Sequence, residues 1–188
     1  MDGLAAMEGA MTFGDRVVGA MRLDEKTFED IESDPTAMGQ AVGVIVLAAV
    51  SAGIGNIYWG GLTGIVTGAL MSIIGFVIWS VIVWLVGTKL MAEPTTKADF
   101  PETFRVIGFS AAPGLASVVT IIPILGYLLM FLIWLWQMAA MVTAVKAVLD
   151  YSTIGKAIVV VLIGFVINLI VSILLIAPMI GARMMYGG

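Results

Sequence analysis

The sequence contains neither cysteine nor histidine. Lack of cysteine removes disulfides, thiolate metal sites and thiol nucleophiles. Lack of histidine removes the commonest transition-metal ligand, the commonest axial ligand of haem and the usual general base near neutral pH. Charge is scarce too: 12% of residues are charged against 61% hydrophobic, with a mean hydropathy of +1.10. No charged residue falls between Pro35 and Thr88, or between Val106 and Val145. A soluble domain of this length cannot bury so much apolar surface, so the solvent for most of the chain is lipid. Walker loop, HExxH helix and nucleophile elbow are all absent, and a serine without histidine makes no triad. These absences weigh against an enzyme and against any cofactor or metal. The net charge of -4, carried largely by the acidic N-terminal segment, weighs against nucleic acid as a partner.

What is present is a set of five apolar runs, each near the roughly 20 residues that cross a hydrocarbon core about 30 Å thick. The expected spans are about residues 38–57, 64–86, 104–122, 125–146 and 156–179. The predicted fold class is therefore all-α: a polytopic bundle of five transmembrane helices over residues 35–188, preceded at 1–34 by an amphipathic and acidic helical segment. A signal peptide is not expected, because the N-terminal segment is acidic and the first run exceeds an h-region of about 7–15 residues.

Within the leading segment Leu4, Met7, Met11, Val18 and Met21 share one helical face, which predicts a helix lying on the membrane or on the spans. A frayed tail is the alternative, favoured by Gly9, Gly14 and Gly19. Asp24, Glu25, Glu29, Asp30, Glu32 and Asp34 then face the single base Lys26. They form either a solvated helical face or a docking surface for a basic partner, with Phe28 and Ile31 pinning the helix. Asp34 followed by Pro35 reads as an N-cap and first helical position, opening the first span.

Small residues four apart mark helix-packing faces in lipid. Gly39 and Gly43 supply one in the first span, repeated at Ala49 and Gly53, and this face is expected to be buried in protein. Gly64 and Gly68 supply another in the second span, and Ala140 and Ala144 a third in the fourth. Tyr58 and Trp59 read as an interfacial anchor before a turn at Gly60–Thr63. The segment Lys89–Phe104 is the longest polar loop between spans. Pro101 suits the first helical position beyond it, with Glu102 three residues before Arg105. The third run has only seventeen uncharged residues, Val106 to Ile122, with Pro113 inside it and Ser110 placed to satisfy a freed carbonyl. It forms a span or, with the fourth run, a re-entrant hairpin turning at Pro123–Gly126. Trp134 and Trp136 lie near the middle of the fourth run, where tryptophans pack between helices or touch a bound lipid or pigment. Lys146 and Asp150 read as a surface pair, and Ser152 as a cap on a last helix that carries Asn168 at its centre and ends at Pro178. Asn56, Gln137 and Asn168 either join helices or, with the break at Pro113, line a polar path.

With five crossings, eight of the nine basic residues fall on one side and only Arg183 on the other. The positive-inside rule then makes the N-terminus cytoplasmic and the C-terminus external.

The stretches FRVIGFSAAP (Phe104 to Pro113), IPILGYLLMFLIWLW, MAAMVTAVKAV and STIGKAIVVVLIG resemble the Ypt-interacting-protein (Yip) domain family, and Arg22 to Ala41 resembles the lead-in of its prokaryotic members. That resemblance implies five spans, a cytoplasmic N-terminus and, for a prokaryotic-type member, a plasma (inner) membrane. In eukaryotic members it implies vesicle traffic and binding of Rab-type GTPases, but their Asp-Leu-Tyr-Gly-Pro motif is absent here. The leading expectation is a non-enzymatic membrane-organising or accessory subunit, with the lipid bilayer and other membrane subunits or its own copies as partners. A channel or permease for a neutral or lipidic solute is the second expectation. A docking receptor for a soluble GTPase, using Asp24, Glu25, Glu29, Asp30 and Glu32, is the third.

Overall fold

A computed structural model describes residues 11–55, 57–122 and 124–186, and the side chains of 58–60, 172 and 174–186 stand outside that description. The readings placed on Leu4, Met7, Gly9, Asn56, Tyr58, Trp59, Pro123, Pro178 and Arg183 therefore lie outside the described residues. Every regular element described is helical: α1 (Phe13–Met21), α2 (Glu25–Ser33), α3 (Ala37–Gly55), α4 (Ile57–Leu85), α5 (Phe100–Phe109), α6 (Leu125–Val148) and α7 (Ile154–Tyr186). A π-helical turn, Val86–Leu90, prolongs α4, and a 3-10 helix, Ala112–Ile121, continues α5. Five of these stretches are long and apolar enough to cross a membrane.

Local chemistry accounts for the boundaries. Thr12 caps α1 in a reciprocal box with Asp15, and Asp99 does the same for α5 with Glu102, leaving Pro101 in a first turn that needs no N–H from it. Asp34 accepts hydrogen bonds from the Thr36 amide and hydroxyl at 2.9 and 2.7 Å just before α3 begins. Inside α4, Gly61 takes φ 57° and ψ -166°, so the chain breaks within the predicted Gly60–Thr63 turn and the second span proper is Gly61–Leu90.

The third span is the centre of the bundle. In its most apolar window 61% of residues are buried, against 22–33% for the other four spans. It is not one α-helix: after Ser110, whose hydroxyl donates to the Ile107 carbonyl at 2.6 Å, the chain passes through buried Pro113 into ten residues of 3-10 helix. Such runs rarely exceed 3–4 residues. Here the rise of about 2.0 rather than 1.5 Å per residue lengthens a short apolar stretch.

Glycines set how closely this span approaches α3. A Cβ added at Gly108 would lie 2.9 Å from the Ala41 Cβ, one at Gly114 3.1 Å from the Ala48 Cβ, and one at Gly55 2.4 Å from the Ser117 carbonyl. The contacts advance together along both chains, so the third run travels parallel to α3 over its whole length. A run that does so does not turn back, and the five-span reading is the one the geometry follows.

Candidate functional site

Two polar places stand out, one at membrane depth and one where the loops gather. At membrane depth α4, α6 and α7 line an open cavity of about 330 Å3. From α4 come Ser72, Gly75, Phe76 and Trp79, from α6 Gln137, Met138 and Met141, and from α7 Phe165 and Asn168. A smaller cavity of about 140 Å3 abuts it, sharing Ser72, Phe76 and Gln137 and reaching Gly114 and Ser117 of the third span. Gln137 and Asn168, far apart in sequence, thus line one space, whereas Pro113 is buried in the central span. Among the described residues neither amide has a hydrogen-bond partner, and neither is sealed from the cavity. The Trp79 indole N–H is already engaged, donating to Met141 Sδ at 3.1 Å.

The small-residue faces divide into two groups. Ala140 and Ala144 are fully buried against the rest of the chain. The described residues do not cover the Gly39/Gly43 and Gly64/Gly68 positions: a Cβ added at any of these four meets nothing of them within 4 Å. The internal close approaches fall at Gly53, the far end of the predicted first-span face, and at Gly55, Gly108 and Gly114. GxxxG spacing marks a face on which a helix can pack but does not say which of several faces the fold uses.

At the loop end, α1 and α2 are locked to the spans by residues that the sequence marked only as topology signals. Arg16, 2% exposed, donates from Nε to Asp30 at 2.8 Å, from one terminal nitrogen to Asp34 at 2.7 Å and from the other to the side-chain Oε1 of Gln40 in α3 at 3.0 Å. Burial alone lowers its pKa, but Asp34 and Asp30 outweigh that and hold the guanidinium charged. The Thr36 hydroxyl, and then Arg16, pull the Asp34 carboxyl down to about 2. The buried face of α1 is Arg16, Gly19 and Ala20, and Val18 of the predicted stripe points outward. Gly19 is required because a Cβ there would overlap Thr27 of α2. Trp136 of α6 donates its indole N–H to the Met21 carbonyl at 2.7 Å, which ends α1 against the fourth span.

Three expected local contacts are replaced by longer-range ones. Arg105, also buried, turns from Glu102 to the carbonyls of Ile31 and Glu32, capping the C-terminal end of α2. Lys146 pairs with Glu25 of α2 rather than with Asp150. Ser152 donates to Glu93 from its amide and hydroxyl, and Lys156 pairs with the same carboxylate at 2.8 Å. Together these hold Glu93 below its ordinary pKa. The acidic segment is therefore used largely within the chain. Asp24 accepts from the Thr27 hydroxyl, Glu25 and Asp30 are paired, and Glu29 points outward. Glu32 is pushed up to about 7, first by burial and then by Asp150, Glu102 and Glu29, against the pull of Arg105.

The Yip1 domain model matches residues 19–176, a stretch that takes in α2 to α6 and most of α7. The chain belongs to the Yip1 domain family. No curated protein and no solved structure matches it. Asp30, Asp34 and Gln40 lie inside the matched Yip1 domain, whereas the Arg16 that they hold lies just before it.

Proposed function

We propose that this Yip1-domain protein is a non-enzymatic membrane-organising or accessory subunit, which acts through helix–helix and lipid contacts in a plasma (inner) membrane with its N-terminus cytoplasmic. One observation carries this reading. Among the described residues the chain closes its own core with Gly53, Gly55, Gly108 and Gly114 and leaves the Gly39/Gly43 and Gly64/Gly68 positions open. Exposed leucine or valine gains nothing from another helix when lipid is equally apolar, whereas an open small-residue face admits a second backbone closely. The basic loop ends and the internal anchoring of α1 and α2 support the orientation, because both helices sit with the basic end of the bundle. The test is purification from native membranes with crosslinking: co-purifying membrane protein or a second copy is expected, and a solitary monomer would sink the proposal.

A permease for a neutral or lipidic solute is favoured by the open amides of Gln137 and Asn168. Flux of an uncharged solute across reconstituted vesicles, lost in Gln137→Leu, would support it.

A further inference from the structure

An amide in a hydrocarbon setting without a partner costs about 1–3 kcal/mol by mutational measures. Two such amides, from helices distant in sequence, open into one cavity together with the Ser72 hydroxyl. A void of 330 Å3 has room for several waters at about 30 Å3 each, but three polar side chains offer hydrogen bonds for only one or two of them. The remaining wall is aromatic and thioether: Phe76, Trp79, Met138, Met141 and Phe165. The space thus suits neither bulk water nor pure hydrocarbon. It fits a molecule that is mostly apolar and carries one small polar group. Among the described residues no lysine or arginine lines the cavity, so a phosphate or carboxylate entering it would meet no cation there. Phe165 is half exposed on the lipid side, which places the cavity mouth at the bilayer rather than at either aqueous face.

We propose that the cavity between α4, α6 and α7 binds an uncharged lipid, with Gln137 and Asn168 hydrogen-bonding its hydroxyl or carbonyl oxygen. The volume lies at the lower end of ligand pockets, about 300–1,000 Å3, enough for the head and first part of a chain whose remainder stays in the bilayer. Each amide offers both donor and acceptor, so a hydroxyl can be held from both sides and a carbonyl by two donors. Occupancy of this kind requires neither a partner subunit nor passage of solute across the membrane.

The test uses the full chain in phosphatidylcholine vesicles containing a photoactivatable diacylglycerol, with labelled peptides located by mass spectrometry. Labelling is expected to concentrate on the cavity segments of α4, α6 and α7. Competition by a long-chain fatty alcohol assigns the oxygen held to a hydroxyl, and competition by an isoprenoid quinone assigns it to a carbonyl. Two variants separate site from scaffold. Gly75→Leu keeps both amides and adds side-chain volume to the cavity wall, at a position where a Cβ meets nothing described within 4 Å, and should cut labelling about fivefold or more. Gln137→Leu with Asn168→Leu should cut it similarly while raising the melting temperature in lipid-free detergent, because two unpartnered amides are removed. A fall in melting temperature would mean that the amides serve helix packing and would overturn the proposal. So would labelling spread evenly over the lipid-facing helices and unchanged in Gly75→Leu, or equal competition by phosphatidylglycerol.

Discussion

Replacing Arg16 with methionine keeps the length and apolar stem of the side chain and removes its charge and its three hydrogen-bonded partners. Asp30 and Asp34 are then left facing each other beside the first span with only Thr36 to assist. Removing one partner of a buried ion pair commonly costs about 3–5 kcal/mol. Here both carboxylates keep 29% exposure, so water recovers part of that loss and about 2–3 kcal/mol is the better figure. The damage should be confined to the docking of α1, because the third span and α3 pack through contacts that do not involve Arg16. Hydrogen exchange reads this directly: amides of α1 should exchange about 30- to 140-fold faster in Arg16→Met, with those of Val106–Phe109 unchanged. Adding Asp30→Asn and Asp34→Asn to Arg16→Met should restore part of the protection, since no bare charge remains. Exchange of α1 within threefold of wild type, or no rescue by the neutral triple variant, would refute the clamp.

Glu32 has a folded pKa of about 7 against an ordinary 4.5, so its contribution to docking α2 is complete below about 4.5 and lost as pH rises through 7. Exchange of α2 amides, corrected for intrinsic rates, should therefore quicken across that window and become pH-independent in Glu32→Gln; an unchanged profile in the variant would count against it. Gly55→Ala forces a Cβ against the Ser117 carbonyl and should lower stability by about 1–3 kcal/mol, whereas Gly43→Ala enters open space and should leave the thermal melt of the monomer unchanged. Trp136→Phe leaves the Met21 carbonyl without its donor and should cost α1 docking about 1 kcal/mol, seen as roughly fivefold faster exchange at the end of α1.

Span number and helical class were legible because lipid imposes them: every backbone group must be satisfied internally, and apolar length measures the bilayer. Phe28 and Ile31 were legible for a similar reason, as the only apolar pair on an acidic helix, and both are fully buried. The partners of the charged residues were not. Arg105 has an acid three residues before it and Lys146 one four residues after, yet both turn to α2, because the tertiary fold brings α2 against α5 and α6. Arg16 lay on a helix whose apolar stripe pointed elsewhere, and its partners are 14, 18 and 24 residues away. The change from α to 3-10 geometry past Pro113 was signalled only as a break, since proline announces a lost hydrogen bond and not what replaces it. At the cavity, Gln137 and Asn168 could be singled out as rare polar groups at depth. Ser72 could not, because a serine in a span is ordinarily satisfied by its own helix.

The proposal that the open glycine faces are where this protein meets its partners is tested most directly by cysteine crosslinking in native membranes. The chain has no cysteine, so any single one introduced is a unique probe. Thr67→Cys sits exposed on α4 between Gly64 and Gly68, and Phe131→Cys sits exposed on the lipid face of α6. A benzophenone attached to the introduced thiol, which on illumination inserts into C–H bonds of whatever protein lies against it, should give a discrete protein adduct from Thr67→Cys but not from Phe131→Cys, and adding Gly68→Leu should abolish it. Equal adducts from both positions, or none from Thr67→Cys and none from a matching probe beside Gly39, would contradict the account.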